Sequence, residues 1–231
     1  MESQKQTVKF SKNMVFSNQK GFSLIELMIS LTIGLVVIAG ITSLFSNSVK
    51  SSANIVADAK LNEDLSSILD FISREVKRAG YDGSASSNAN TNFGIDDSES
   101  TSSCLIYTYD MNGNGTVDSN EKNGIRLNSG SVLFKQNTTK CSSINNGAIN
   151  DPNTIFISAL TFTSNKLCIN VNKNNDCNPS SASYSAPSAG DQLVWRREVT
   201  ISLSGYFTKN SGYVRTVSNT VQVGNDILVI N

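Results

Sequence analysis

From Phe22 to Phe45 the chain holds only apolar and small residues, a few hydroxyls and a single charge, Glu26. About 24 residues at about 1.5 Å each can cross a hydrocarbon layer about 30 Å thick, so the run reads as a membrane-competent helix. Everything C-terminal to it then has to fold on one side of that membrane. Glu26 is the anomaly. A carboxylate inside a spanning segment costs on the order of 2.5–3.5 kcal/mol at mid-membrane, and less near the interface. Its presence calls for a function.

The residues ahead of the run carry Lys5, Lys9, Lys12 and Lys20 against one acid, Glu2. In a secretory signal a small-residue cut follows the apolar run; here the small residue, Gly21, precedes it. The combination of Gly21, Phe22 and Glu26 ahead of the apolar run resembles the class III signal of type IV pilins and pseudopilins. That resemblance implies a membrane prepilin peptidase that cuts between Gly21 and Phe22 and methylates the new N-terminal Phe22. It also implies that Glu26, fifth in the mature chain, pairs with the N-terminal amine of a neighbouring subunit during assembly. The plain alternative is an ordinary signal anchor with Glu26 at the interface.

The whole chain has 231 residues with 19 basic and 19 acidic side chains. Removing residues 1–21 takes away four Lys and one Glu, leaving 15 basic against 18 acidic. With no basic stripe and no aromatic interleaving, nucleic-acid binding finds little support. Basic residues before the run and few just after it place the leader in the cytoplasm and the C-terminal part in the periplasm, by the positive-inside rule. Cys104, Cys141, Cys168 and Cys177 all lie in that exported part. Four cysteines allow three pairings that sequence does not separate. Cys168–Cys177 across a short polar loop and Cys104–Cys141 across a longer one is the expected set. A zinc site is the rival, but CxxC pairs and histidine are both lacking.

The helix should continue past the membrane. Between Ser46 and Ala79 there is no Pro or Gly, and Leu61, Leu65, Ile68, Leu69, Ile72 and Val76 recur at three- and four-residue steps. Asp70 and Arg74 form a helix-supporting pair, and Gly80 is placed to end the helix. From Phe22 to Ala79 it would run about 85 Å at about 1.5 Å per residue, so its second half must be covered by the domain that follows. Gly34 and Gly40 permit close helix approach in the apolar half. Residues 69–81, ending in Arg78-Ala79-Gly80-Tyr81, look like the corresponding segment of PilW-type minor pilins. The expected division is 1–21 leader, 22–80 helix (22–45 membrane or fibre-core half, 46–80 amphipathic half) and 81–231 β-rich head.

A Ser/Asn/Thr-rich loop is expected from Asp82 to Ser103, with a short element at Phe93–Ile95. Beyond it, β-type alternation marks strands at 104–109, 124–127, 131–135, 154–157, 160–163, 166–170, 193–207 and 213–223, bounded by Asn-Gly and Ser-Gly turns. The fold class is therefore α+β and type IV pilin-like, with the long N-terminal helix packed against a C-terminal antiparallel sheet. Trp195, Phe134, Phe156, Phe162 and Phe207 read as core residues, and residues 172–190 as an exposed loop.

One stretch carries chemistry. Asp110 to Glu121 fits D-x-[DN]-x-[DN]-G-x5-E at all twelve positions. Asp110, Asn112 and Asn114 supply side-chain oxygens, Gly115 the sharp turn, Thr116 its backbone carbonyl, Asp118 a direct or water-mediated oxygen, and Glu121 two oxygens. That set suits Ca²⁺. The flanks are strand-like, so the loop resembles that of EF-hands without their helices, and the expected role is a structural clamp. The bland alternative is an Asn-Gly-rich turn whose carboxylates face water.

Enzymatic patterns are otherwise missing: without histidine no Ser-His-Asp or Cys-His pair exists, and no phosphate-binding glycine loop occurs. The expected function is that of a PilW-like minor pilin, not an enzyme, taking part in type IV pilus initiation or in its tip complex. It would be made in the bacterial inner membrane with its head in the periplasm, then carried to the pilus and cell surface. Its partners would be other minor and major pilins, prepilin peptidase and the pilus assembly machinery. A J-type minor pseudopilin of a type II secretion system, and a membrane-anchored calcium-binding module that never polymerises, are the alternatives.

Overall fold

The computed structural model describes residues 21–83, 93–224 and 227–231. The chain divides into two units, Met1–Ala53 and Asn54–Asn231. A single helix, α1 (Leu24–Arg78), contributes to both. It begins two residues later than the apolar pattern implies.

Within the first unit the described residues of α1 are almost all exposed, and the helix is long and apolar enough to cross a membrane. Two threonine hydroxyls in this stretch are satisfied by the helix's own backbone. Thr42 Oγ1 donates to the Ile38 carbonyl at 2.9 Å and Thr32 Oγ1 to that of Ile29 at 2.8 Å. Such back-bonding lets a polar side chain reside in an apolar helix.

The second unit joins the rest of α1 to two antiparallel sheets. The first sheet has the order β1 (Gly94–Ile95), β2 (Cys104–Thr108), β3 (Lys122–Asn128), β4 (Ser131–Gln136). The second runs β6 (Asn175–Asp176), β5 (Ile155–Asn170), β7 (Gln192–Phe207), β8 (Asn210–Gln222), with β9 (Ile227–Ile230) also on β7. The three short strands expected at 154–157, 160–163 and 166–170 are one strand, β5, with an irregularity between Ile157 and Ala159. Ser164 and Asn165 look like a turn in sequence, but both are exposed and pair with Val199 and Glu198 of β7.

The apolar row of α1 is the floor of the core. Leu61, Leu65, Ile68, Leu69, Ile72 and Val76 are buried against Leu105, Tyr107, Ile125, Ile157, Leu160, Ile201 and Leu203 from both sheets. Leu65 fits over a notch at Gly205, where an added Cβ would stand 3.1 Å from the Leu65 side chain and 3.0 Å from the Phe156 carbonyl oxygen. Of the aromatics expected inside, Phe162 is buried, while Phe134 and Phe207 are half-buried at the margin of the core. Trp195 packs on a separate cluster around the Cys168–Cys177 bond, and Phe156 stacks on Tyr206 at 5.3 Å. Aliphatic side chains and Tyr107, rather than the Phe and Trp residues, fill the centre.

The cysteines join as Cys104–Cys141 and Cys168–Cys177. Beside the second bond, Asp191 accepts from Lys173 Nζ at 2.8 Å, the Ser188 N–H at 2.7 Å and Asn170 Nδ2 at 2.7 Å. The Lys173 ammonium first, then the Ser188 N–H against some opposition from burial, hold its carboxyl at about 2. A carboxyl depressed in the folded chain adds stability that is present above its unfolded value and lost as the pH falls toward its folded one. The melting-temperature gap between wild type and Asp191→Asn is therefore expected to be full near pH 5 and to close between about pH 4 and 2.

Candidate functional site

Three residues, Gly21, Phe22 and Ser23, precede α1 in the described chain, and all are exposed. Phe22 is 87% exposed, and nothing lies within 4 Å of where a Cβ on Gly21 would stand. Glu26 sits in the first turn of α1, and its Oε2 accepts the Ser23 N–H at 3.3 Å. A carboxylate there satisfies an otherwise orphaned N–H and favours the positive end of the helix dipole.

The Asp110–Glu121 loop lies between β2 and β3 and closes through a 3₁₀ turn, Ser119–Glu121. Two buried carboxylates pin it. Asp110 accepts the N–H groups of Gly113 at 2.6 Å and Asn114 at 3.2 Å on Oδ1, and those of Gly115 at 2.9 Å and Gly83 at 3.1 Å on Oδ2. Burial works against its ionisation, but these backbone bonds hold the carboxyl below the ordinary range. Glu121 is fully buried and accepts the N–H groups of Met111 at 2.7 Å, Asn112 at 3.3 Å and Asp118 at 2.9 Å. Gly113 and Gly115 both have positive φ, 75° and 72°, which is how the backbone can wrap a carboxylate so tightly.

The remaining motif residues meet on the exposed side. Asn112 Nδ2 and Asn114 Nδ2 both donate to Asp118 Oδ2, at 2.8 and 3.0 Å. Asn112 Oδ1 accepts the Asn114 N–H, and Asn114 Oδ1 accepts both the N–H and the hydroxyl of Thr116. All the metal-ligating atoms the motif offers are oxygens, the chemistry a hard cation takes. As held here, however, Asp110 has four N–H donors for its roughly four lone-pair sites. Among the described residues no three Asp, Glu, His or Cys side chains are grouped as metal ligands. The loop is closed by hydrogen bonds. Binding a cation through Asp110 requires the release of at least one N–H, with the two amides turning their oxygens inward.

The sequence pattern did not disclose how this loop joins the end of α1. Besides the Gly83 bond, the Asp110 N–H donates to the Tyr81 carbonyl at 2.8 Å and the Gly80 N–H to that of Thr108 at 2.9 Å. Tyr107 Oη donates to Glu75 Oε2 at 2.8 Å, and the Arg78 guanidinium lies 4.2 Å above the Tyr109 ring. Burial first and the Glu75 charge next push the Tyr107 phenol well above its ordinary value, so it stays a donor. The Asp82-Gly83 dipeptide was the one available signal, and it reads as an ordinary turn.

A helix of this kind opening on Gly-Phe-x-x-x-Glu, followed by antiparallel sheets, defines a type IV pilin-like protein. Residues 16–42 match the prokaryotic N-terminal methylation motif. Residues 54–223, well over half of the sequence, match prepilin peptidase-dependent protein B, and the chain belongs to that family. Family membership implies processing by prepilin peptidase and a pilin-type assembly context, and the apolar helix is consistent with membrane anchoring. No curated protein and no solved structure matched the chain.

Proposed function

We propose that this chain is a PilW-like minor pilin that works by assembly rather than catalysis. It is inserted in the inner membrane with its head in the periplasm, cut between Gly21 and Phe22, methylated on Phe22, and joined to other pilins at the initiation or tip complex of a type IV pilus. The observation that carries this reading is the methylation motif over residues 16–42, set against an exposed apolar helix with Glu26 in its first turn. A buried carboxylate in hydrocarbon seeks a positive partner, and the free amine of a neighbouring mature chain supplies one. The Asp110–Glu121 loop, in the same reading, takes Ca²⁺ as a structural clamp. Its all-oxygen ligand set and its two glycines with positive φ support this.

Mass spectrometry of the mature protein is expected to find N-methylated Phe22 at the N-terminus. Met1 still attached to a stable, solitary protein would overturn the reading. Glu26→Ala is expected to leave cleavage intact while reducing recovery in sheared pili by at least about tenfold, the size of effect expected from about 1.4 kcal/mol. Deletion that abolished protein secretion and left pili and twitching intact would move the chain to the pseudopilins.

A further inference from the structure

Asparagine is a thermolabile residue, and glycine after it makes it more so. The main-chain nitrogen of the following residue can close onto the Asn side-chain carbonyl carbon, and glycine, with no Cβ and a permissive backbone, leaves that approach open. The sequence holds four such pairs, Asn112-Gly113, Asn114-Gly115, Asn123-Gly124 and Asn146-Gly147, and the analogous Asp82-Gly83. What separates them in the folded chain is whether the nitrogen and the carbonyl carbon are free to meet.

One carboxylate guards three of these pairs. Asp110 accepts the N–H of Gly83 at 3.1 Å, of Gly113 at 2.6 Å and of Gly115 at 2.9 Å, so each of these nitrogens is committed to an anion instead of to the side chain before it. The two loop amides are held as well, since both Nδ2 atoms donate to Asp118 while Asn112 Oδ1 accepts the Asn114 N–H and Asn114 Oδ1 the Thr116 N–H. Asn123 is fully buried, and its Nδ2 donates to the Glu121 carbonyl at 3.0 Å. Gly124 beside it is paired with Ile106 on one side and Lys135 on the other, in the middle of the first sheet.

Asn146-Gly147 has no such guard. Both residues are exposed, and among the described residues neither the Asn146 side chain nor the Gly147 N–H has a hydrogen-bond partner. The fold also demands glycine here. The loop covers the edge of β4 through Phe134 N–H to Gly147 O and Ile149 N–H to Val132 O, both 2.9 Å. Gly147 makes that approach with a φ of 85°, and an added Cβ would collide with the Phe134 carbonyl oxygen. A slower-reacting residue therefore cannot stand after Asn146 without displacing the cover of β4.

We propose that Asn146 is the site of spontaneous deamidation in this head, and that Asp110 shields the Asx-Gly pairs around its loop from the same chemistry. The reaction consumes one water and releases one ammonia. The Gly147 nitrogen gives its proton to hydroxide and bonds to Asn146 Cγ, closing a succinimide ring as the side-chain nitrogen takes a proton from water and leaves. Water then adds to one ring carbonyl and breaks its bond to nitrogen. Attack at the side-chain carbonyl gives aspartate, and attack at the main-chain carbonyl gives isoaspartate. Isoaspartate lengthens the main chain by one methylene just before the carbonyl that accepts the Phe134 N–H, so the product alters the cover of β4 as well as adding a negative charge. A guarded nitrogen must first give up a hydrogen bond to a charged acceptor, which slows its reaction by at least about tenfold.

The test incubates the full chain in detergent and EDTA at mildly alkaline pH, folded in one arm and unfolded in guanidinium chloride in the other. Peptide mapping by mass spectrometry follows the conversion of Asn to Asp and isoaspartate at each pair. Dividing each folded rate by the unfolded rate of the same site removes the effect of neighbouring sequence. The ratio at Asn146 is expected to exceed those at Asn112, Asn114 and Asn123 by at least about tenfold. In Asn146→Gln, whose longer side chain closes the ring poorly, the modification at this position should disappear. Amide hydrogen exchange reads the guard separately, with the Gly83, Gly113 and Gly115 N–H groups protected at least about tenfold over that of Gly147. A smaller separation of Asn146 from any of the other three asparagines, modification that persists in Asn146→Gln, or glycine N–H groups around Asp110 that exchange as fast as that of Gly147 would overturn the inference. None of these readouts depends on what the chain assembles with, so this inference and the pilin reading can fail independently.

Discussion

Replacing Glu121 with Ala is expected to destabilise the second unit by about 3 kcal/mol and to abolish any response of its melting temperature to calcium. The magnitude follows from three backbone N–H donors, those of Met111, Asn112 and Asp118, which lose a charged acceptor in a fully buried position. Hydrogen bonds to charged groups contribute roughly 1.5–3 kcal/mol each, and three in one loop are not additive. Wild-type protein is expected to melt higher in millimolar calcium than in EDTA, because an ion that binds only the folded loop stabilises it by mass action. Differential scanning calorimetry of both proteins, each with calcium and with EDTA, checks the two parts separately. A wild type indifferent to calcium, together with an unstable Glu121→Ala, would leave a loop clamped by hydrogen bonds alone and would remove the metal from the proposal.

Leu65→Ala is expected to cost about 2–5 kcal/mol, with little dependence on calcium or pH. Leu65 is fully buried, and its side chain is seated above Gly205 near the end of β7. The wall of the resulting cavity would include strand backbone at Gly205 and Phe156, which has little freedom to collapse inward, so the upper part of that range applies. Urea unfolding with an unchanged m-value would show that stability fell while the folded state stayed compact. An exposed position of the same helix makes the control: Asp70→Ala removes a surface pair with Arg74 at 3.4 Å and should change stability by less than about 0.5 kcal/mol.

These two positions also show how far residue order alone discloses the fold. Leu65 belongs to a row whose three- and four-residue spacing by itself marks it as buried, and all six residues of that row lie in the core. The motif from Asp110 to Glu121 was equally legible as a pattern, because the turn needs glycine where φ is positive and acceptors where N–H groups converge. Its partner Gly83 was not legible, since a bond across 27 residues leaves no local trace. The length of β5 was hidden for a related reason: its solvent-facing positions tolerate Ser and Asn, which sequence reasoning takes for a turn. β9 went unread because four apolar residues have no period of their own, and they become a strand only by lying on Gln192 to Trp195.

The residues just beyond α1 are tied to both sheets at once: Gly80 to Thr108, Asp110 to Tyr81, and Gly224 to Ala79. With its end fixed there, the helix has no freedom to slip along its axis. Deleting one residue between Leu61 and Val76 would draw part of the helix along by about 1.5 Å and rotate it by about 100°, turning half of its greasy row toward water. Indels should therefore be lethal to folding in that short interval. The helix is indexed to the head as a key is to its wards.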